Sequence, residues 1–206
     1  MSNINLMQGD CLERMKEIPG GSVDMILTDP PYGTTACKWD SIIPLEPMWE
    51  QLKRIIKPNG AIVMTASQPF TTVLVHSNLK WYKESLVWNK DRPTGHLNAN
   101  KMQMKKHEDI IVFCKKRPTY NPQKSTSKPM NSTTRKDNGN CYGKTGAKKY
   151  GGNTDRFPVS VLNFNTVNNN SGKLHTSQKP VALMEYLIKT YTNEGEAVLD
   201  FAFGSG

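Results

Sequence analysis

The sequence predicts an α/β domain on a mostly parallel β-sheet, interrupted by a basic, loop-rich insertion. Short apolar, β-branched runs alternate with helix-like stretches, which is the order of elements that builds a parallel sheet. Residues 116–158 contain no Val, Ile, Leu or Trp, so this segment cannot bury enough apolar surface to form a core alone. We therefore divide the chain into residues 1–115, the insertion 116–158, and residues 159–206.

The alternation can be followed element by element in the first part of the chain. Amphipathic stretches bounded by Pro and Gly predict helices at residues 12–18, 47–56 and 70–77. A strand also remains possible for residues 70–77, which contain Thr71, Thr72, Val73 and Val75. Apolar runs predict strands at residues 4–10, 23–28, 61–66, 81–90 and 107–116.

Regular elements return after the insertion. Residues 157–164 are a strand candidate, and a polar run then leads to Pro180. The clearest helix in the chain is predicted for residues 181–191, because its apolar side chains recur at helical spacing. A strand at residues 197–201 leads into a glycine-containing loop, Ala202-Phe203-Gly204-Ser205-Gly206.

Composition narrows the class of protein. The four cysteines are scattered, with no Cys-x-x-Cys pair and no His at metal spacing, which indicates reduced thiols in a cytoplasmic protein and no metal site. The first residues have no basic region followed by an apolar stretch, so we expect no signal peptide. No apolar run approaches the roughly 20 residues needed to span a bilayer. We therefore expect a cytoplasmic protein with no membrane partner.

The positive charge is confined to one block. Of the 27 Lys and Arg residues, 11 lie within residues 115–158, against only Asp137 and Asp155. The rest of the chain has equal numbers of basic and acidic residues. A local basic block favours a polyanionic partner, most simply nucleic acid phosphate. A solvated, disordered basic loop would give the same composition, so charge alone leaves both interpretations open.

The strongest chemical motif is Asp29-Pro30-Pro31-Tyr32, which follows a predicted strand. The Asp29 carboxylate and the Pro30 carbonyl, whose direction is constrained because proline fixes φ, would supply two hydrogen-bond acceptors at a fixed separation. Such acceptors suit a nucleobase amine, whose delocalised lone pair must be freed before the nitrogen can attack a methyl donor. Tyr32 offers a flat face for an extruded base. The same tetrapeptide is also good turn chemistry.

Two longer segments carry a family resemblance. The segment GDCLERMKEIPGGSVDMILTDPPYG (residues 9–33) resembles the catalytic start of β-class DNA amino-methyltransferases. The segment HTSQKPVALMEYLIKTYTNEGEAVLDFAFGSG (residues 175–206) resembles the Lys-Pro helix and glycine cofactor motif of that family, in the expected order. The resemblance implies a Rossmann-like S-adenosylmethionine-dependent methyltransferase fold with a circularly permuted motif order.

The resemblance also implies roles for individual residues. The catalytic loop that binds the amine would be Asp29, Pro30, Pro31 and Tyr32. The S-adenosylmethionine site would be formed by Asp10, Cys11, His175, Thr176, Ser177, Lys179, Asp200, Phe201, Ala202, Gly204 and Gly206. The insertion stands where the family places its target-recognition region. Double-stranded DNA would be contacted by Lys115, Lys116, Arg117, Lys124, Lys128, Arg135, Lys136, Lys144, Lys148, Lys149 and Arg156.

We expect methylation of adenine N6 in DNA, because the catalytic loop begins with Asp, whereas relatives acting on cytosine N4 more often carry Ser there. Cytosine N4 remains the alternative, as does an RNA or protein amine. The setting would be a restriction-modification system or a phage gene.

Gly206 lies inside the cofactor loop. We therefore expect the last strands of the sheet to be missing and a second chain or segment to complete them. We also expect this chain alone to have little activity. An inactive remnant that only binds DNA is the alternative from another class.

Overall fold

The computed structural model describes residues 4–37, 39–135, 148–167 and 178–204. The helices are α1 (Cys11–Lys16), α2 (Leu45–Ile55), α3 (Phe70–Ser77) and α4 (Val181–Tyr191), with a short 3₁₀ turn at His96–Asn98. The strands are β1 (Val23–Thr28), β2 (Ile56–Ala66), β3 (Tyr82–Thr94), β4 (Lys105–Phe113), β5 (Ser125–Thr126), β6 (Thr133–Arg135), β7 (Lys148–Tyr150), β8 (Asp155–Arg156), β9 (Val161–Asn163) and β10 (Val198–Leu199).

Six strands form the main sheet in the order β10-β1-β2-β4-β3-β9. β1 pairs in parallel with both β10 and β2, and β3 pairs in parallel with β9. β4 runs antiparallel to its neighbours β2 and β3. The predicted α/β fold with a mostly parallel sheet is therefore confirmed, with one antiparallel strand inserted between β2 and β3.

Successive strand residues point to opposite sides of the sheet, so both faces present apolar side chains, and helices cover both faces. On one face, Ile26 and Ile62 pack with α1, α2 and α3. On the other face, Met25 and Val63 pack with α4. All six residues of β1 are buried, as expected for a strand in the interior of a parallel sheet.

The chain divides into two compact units, Met1–Asn121 with Ser160–Gly206, and Pro122–Val159. The second unit, called the ribbon unit below, contains two small antiparallel pairs, β5 with β8 and β6 with β7. It overlaps the predicted insertion but starts later. Asn121 belongs to the first unit because its backbone N–H donates to the Thr190 carbonyl at 2.7 Å and its side chain donates to the Thr192 carbonyl at 2.8 Å.

The strand predicted at residues 4–10 is wrong. This segment forms no strand, and Ile4 and Leu6 are 77% and 72% exposed. Apolar composition supplies a strand propensity, but a strand also needs a neighbour with free backbone groups, and no described strand pairs with this segment. The structure also shortens two predicted strands, 157–164 to β9 and 197–201 to β10.

Two further findings bear on the class of protein. None of the described helices is long and apolar enough to cross a membrane. Cys11, Cys37 and Cys114 are free thiols, and Cys141 lies outside the described residues.

Candidate active site

A cleft of about 2120 Å³ opens where β1 and β10 end. Its walls include Asp29 to Tyr32 after β1, the loop from Asp200 to Gly204 after β10, and Lys179 before α4. The carboxyl ends of neighbouring parallel strands meet at one edge of a sheet, and loops at this edge form the ligand crevice of an open α/β fold. Topology therefore places two motifs that are far apart in sequence at the same edge.

Asp29 accepts hydrogen bonds from three side chains on different parts of the chain. Its Oδ1 accepts a hydrogen bond from the Tyr32 hydroxyl at 2.6 Å and another from the Thr65 hydroxyl on β2. Its Oδ2 accepts one from the Lys179 ammonium at 2.7 Å. A carboxylate offers about four acceptor positions, so these three bonds leave one position on Oδ2.

Tyr32 donates its hydrogen bond to Asp29 as a protonated phenol. Burial, followed by the nearby Asp29 and Glu108 carboxylates, raises the pKa of Tyr32 well above its ordinary value of 10.0. The phenol therefore stays protonated at neutral pH and acts as a donor to Asp29. Its ring stacks on Phe70 of α3, with centroids 5.5 Å apart and planes inclined by 21°, so the orientation of the ring is fixed by the core.

Lys179 joins two carboxylates from different strands. Its Nζ lies 2.7 Å from Asp29 Oδ2 and 3.3 Å from Glu108 Oε2 of β4. The other oxygen of Glu108 accepts a hydrogen bond at 3.0 Å from Lys90, which is only 6% exposed. Two ammonium groups and two carboxylates thus alternate along one wall of the cleft, and charges withdrawn from water are stable only when paired in this way.

The loop after Tyr32 is held by one carboxylate. Asp40 Oδ1 accepts the backbone N–H groups of Tyr32 and Gly33 at 2.8 and 2.9 Å. Its Oδ2 accepts those of Thr34 and Thr35 at 2.9 and 2.7 Å. Desolvation raises the pKa of Asp40, but the hydrogen bonds from Thr35, Gly33 and Thr34 outweigh it, so the net pKa lies below the ordinary 3.8. Gly33 has φ +66°, a conformation that favours glycine.

The loops after β1 and β10 are directly connected. Thr28, the last residue of β1, donates its hydroxyl to Asp200 Oδ1 at 2.6 Å. The backbone N–H of Ala202 donates to the same oxygen at 2.9 Å. Burial raises the pKa of Asp200 above its ordinary 3.8, partly offset by these two hydrogen bonds. Asp200 thus fixes its own loop against the strand that carries Asp29.

With this geometry established, comparison with known proteins identifies the family. A family model described as DNA methylase, of the N6/N4 methyltransferase type, matches residues 23–206. The chain belongs to this family of DNA methylases. The predicted resemblance to DNA amino-methyltransferases is therefore confirmed.

Individual relatives agree with this assignment. The chain is similar to the Type II methyltransferase M.HpaI of Haemophilus parainfluenzae, with 28% identity over 224 residues, 98% of this chain and 64% of M.HpaI. It spans 59% to 64% of the length of the first curated relatives that it matches.

Solved structures show the same fold. The structure of the PvuII DNA methyltransferase (cytosine-N4-specific) has a TM-score of 0.61 at 15% identity and covers 93% of this chain and 71% of that one. The M1.HpyAVI–SAM complex has a TM-score of 0.58 at 22% identity and covers 94% and 80%. The predicted S-adenosylmethionine-dependent methyltransferase fold is confirmed.

The structure brings many of the predicted site residues together. The cleft is lined by Cys11, Asp29, Pro30, Pro31, Tyr32, Lys179, Asp200, Phe201, Ala202 and Gly204. Asp10 caps helix α1, where its carboxylate accepts the Leu12 N–H at 2.8 Å, and its neighbour Gly9 lines the cleft. His175, Thr176, Ser177 and Gly206 lie outside the described residues.

The basic residues predicted to contact DNA fall into several groups. Lys115, Lys116 and Arg117 are exposed just after β4, and Lys124 and Lys128 are exposed in the ribbon unit. The guanidinium of Arg156 donates to the carbonyls of Asn153, Asp155 and Lys128, so it ties the ribbon unit together. Arg135, Lys148 and Lys149 lie on β6 and β7, and Lys136 and Lys144 lie outside the described residues.

Five residues of the site have no role predicted from the sequence: Thr28, Asp40, Thr65, Lys90 and Glu108. Glu108 left a signal, because a charged residue inside an apolar strand, HEDIIVF, has to find a partner when the strand is buried. The two threonines and Asp40 left no comparable signal, because their partners depend on strand register and loop conformation.

Proposed function

We propose that this protein transfers a methyl group from S-adenosylmethionine to an exocyclic amine in double-stranded DNA, with adenine N6 as the preferred target. The proposal starts from membership in the DNA methylase family. It also draws on the name of M.HpaI, a Type II methyltransferase, which favours a bacterial restriction-modification setting and a cytoplasmic location.

The observation that carries the proposal is the contact between the two motif loops. Thr28 and Asp200 are hydrogen-bonded at 2.6 Å. Asp29 is the next residue after Thr28, and Phe201, Ala202 and Gly204 follow Asp200 along the cleft. An acceptor for an amine and a loop suited to a methyl donor therefore share one crevice, as a direct transfer between two bound molecules requires.

Asp29 would accept an N–H of the target amine at the remaining position on Oδ2. Its other oxygen is saturated by Tyr32 and Thr65, so the carboxylate cannot rotate away without losing two hydrogen bonds. An acceptor aligned with the N–H bond favours pyramidal nitrogen and frees the lone pair for attack on the methyl carbon. As the nitrogen–carbon bond forms, the carbon–sulfur bond to the methyl group breaks and the sulfonium leaves as a neutral thioether. After transfer, the nitrogen loses a proton to solvent. Tyr32, braced by Phe70, would support the extruded base.

The residues after β10 fit S-adenosylmethionine. Ala202 and Gly204 are small, nothing lies within 4 Å of a Cβ built on Gly204, and Phe201 and Phe203 line the same wall. Small residues allow close backbone approach, and aromatic side chains suit an adenine ring. The Asp29 and Asp200 carboxylates complement a positively charged sulfonium. The cofactor supplies the methyl group, and Cys11, Lys179, Asp200, Phe201, Ala202 and Gly204 would hold it, together with Asp10, His175, Thr176, Ser177 and Gly206.

DNA binding would be shared with the basic segment. Residues 115–158 contain 11 Lys and Arg residues, and positive side chains provide the sequence-independent part of DNA affinity. We assign the insertion 116–158 to target recognition, between the catalytic residues 1–115 and the cofactor residues 159–206. An enzyme that acts on RNA amines would need a similar charge, so competition between DNA and RNA separates the two substrates.

The test is methyl transfer from labelled S-adenosylmethionine to unmethylated DNA, followed by digestion to nucleosides. We expect labelled N6-methyl-2′-deoxyadenosine; labelled N4-methyl-2′-deoxycytidine would move the assignment to cytosine. Asp29→Asn should lower the rate by about 10³-fold or more, because it removes the charged acceptor at the reacting nitrogen. Asp155→Asn, on an exposed ribbon-unit carboxylate, is the matched control. Because the chain spans 59% to 64% of the length of the first curated relatives that it matches, the assay is also run on a version extended at its C-terminus with the corresponding segment of a relative. If DNA binds but neither version methylates a base, the protein is a DNA-binding remnant and the proposal fails.

A further inference from the structure

We propose that the hairpin formed by the ends of β3 and β4, residues 91–107, is a second DNA-binding surface that holds the duplex at the mouth of the cleft. This inference rests on the proposed function, because it names the part of the molecule that presents DNA to Asp29. It is separate from the basic block at residues 115–158, which the sequence alone indicates.

The hairpin continues one wall of the cleft outward. Trp88, Lys90, Arg92 and Thr94 all line the cleft, as alternate residues of one strand do when they share a face. Trp88 is 3% exposed, whereas the side chain of Arg92 is 70% exposed. The wall therefore runs from the buried ion pair of Lys90 and Glu108 to solvent along a single strand.

The hairpin has a net positive charge, although the residues outside 115–158 taken together have no net charge. Residues 91–107 contain Arg92, Lys101, Lys105 and Lys106, with Asp91 as the only acidic residue of the segment. Asp91 is hydrogen-bonded within the protein: its Oδ1 accepts hydrogen bonds from the backbone N–H and the hydroxyl of Thr166 at 2.7 and 2.8 Å. The hairpin therefore presents mostly positive charge.

Two cationic side chains of the described cleft wall are largely buried and held by carboxylates: Lys179 binds Asp29 and Lys90 binds Glu108. Arg14 forms only an exposed pair with Glu17, at 2.7 Å within α1. Arg92 Nε lies 3.8 Å from Asp91 Oδ2, and the other oxygen of Asp91 accepts the two hydrogen bonds from Thr166. Arg92 and its exposed hairpin neighbours are thus the cations of this unit best placed to meet phosphate beside the cleft.

The tip of the hairpin adds apolar surface to this charge. Leu97 in the 3₁₀ turn is 99% exposed and Met102 is 63% exposed. A base must leave the stack to reach Asp29, which leaves a gap in the duplex, and proteins that distort DNA frequently insert apolar side chains at such steps. Lysines that contact phosphate and a leucine that contacts bases make one surface complementary to DNA.

The experiment measures binding of the protein to a labelled, unmethylated duplex by fluorescence anisotropy between 50 and 200 mM salt. We compare Lys101→Gln/Lys106→Gln with the matched control Lys80→Gln/Lys83→Gln, whose lysines are exposed at the other end of β3. Each lost phosphate contact reduces the slope of log affinity against log salt by about 0.9. The hairpin variant should therefore lose a slope of about 2 and bind about tenfold or more weakly at low salt, with the control unchanged.

A second pair of variants tests the apolar tip. Leu97→Ala should weaken binding about threefold to tenfold with an unchanged salt slope, because it removes contact area and no charge. Leu79→Ala, at a leucine that is 60% exposed, should bind as the unaltered protein does.

Equal losses in the hairpin and control variants, or no loss in either, would overturn the proposal. It would also be overturned if Leu97→Ala dissociated a dimer, seen by light scattering, and left DNA affinity intact, since the tip would then contact a second copy of the chain. Methyl transfer is measured separately. Absence of transfer with the expected binding pattern would refute the proposed function and leave the hairpin inference standing.

Discussion

The wall of the cleft and the ribbon unit both contain lysine–carboxylate pairs, but the pairs differ in exposure. Lys90 and Glu108 have side chains 7% and 17% exposed and lie 3.0 Å apart. In the ribbon unit, Lys124 and Asp155 are 43% and 59% exposed and lie 3.4 Å apart. The first pair cannot exchange its partner for water, whereas the second pair can.

This difference determines what each region can contribute to function. Buried charges lose several kcal/mol of hydration each, so each of them depends on its partner. The cleft wall can therefore hold Asp29 in one geometry. Exposed pairs are worth about 0–1 kcal/mol and are screened by salt, which leaves the lysines of the ribbon unit available to a polyanion.

The largest expected effect comes from breaking the buried pair. Glu108→Gln leaves the Lys90 ammonium without its carboxylate and should lower the free energy of unfolding by about 3–5 kcal/mol. Asp155→Asn, which breaks the exposed pair, should lower it by about 0–1 kcal/mol. Urea denaturation measures both.

A second substitution separates loss of charge pairing from loss of packing. Adding Lys90→Met to Glu108→Gln removes the unpaired charge, so most of the lost stability should return. If Glu108→Gln and Asp155→Asn cost the same, the contrast between the two regions is wrong.

The next effect concerns the loop behind Tyr32. Asp40→Asn replaces two acceptor oxygens by one oxygen and an NH₂ group that faces two backbone N–H donors. We expect a loss of about 2–3 kcal/mol and a slower methyl transfer, since Tyr32 is held through its own N–H. Circular dichroism during thermal unfolding and the transfer assay measure the two results.

The pH dependence of the same carboxylate has a defined sign. Its pKa is lower in the folded protein than the ordinary 3.8, so its stabilisation is fully present above about pH 5 and is lost as pH falls through the lowered pKa. Asp40→Asn should therefore remove part of the acid-induced loss of stability below about pH 4. If the free energy of unfolding fell equally at acid pH in Asp40→Asn and in the unaltered protein, the role assigned to Asp40 would be contradicted.

Elements that depend on local pattern were predictable from the sequence. The bounds of β1, α3 and α4 agree with the predicted residues 23–28, 70–77 and 181–191. In each case, an apolar pattern extends to a Pro, a Gly or a polar residue that ends the element, so the periodicity and the breaking residues predict the same bounds. Residues 4–10 have the pattern without a partner strand, and there the prediction failed.

Much of the cleft wall was not predictable because it depends on register. Thr65 reaches Asp29 because β2 pairs with β1 and places Met64 beside Thr28. Glu108 lies opposite Trp88 because β4 runs antiparallel between β2 and β3. A strand shifted by one residue would point these side chains to the other face, and no local pattern distinguishes the two registers.

The smallest expected effect concerns Lys128 and Arg156, two basic residues of the ribbon unit that the sequence alone does not distinguish. Lys128→Gln removes one exposed charge and should weaken DNA binding about twofold to tenfold, reduce the salt slope by about 0.9, and leave the fold intact. Arg156→Gln removes the donor to the carbonyls of Asn153 and Lys128, so it should make the described ribbon-unit residues 122–135 and 148–159 more susceptible to limited proteolysis, whether or not Arg156 also contacts phosphate. If Arg156→Gln changed the salt slope as Lys128→Gln does and left proteolysis unchanged, Arg156 would be a phosphate contact, and its hydrogen bonds would not be needed to hold the ribbon unit together.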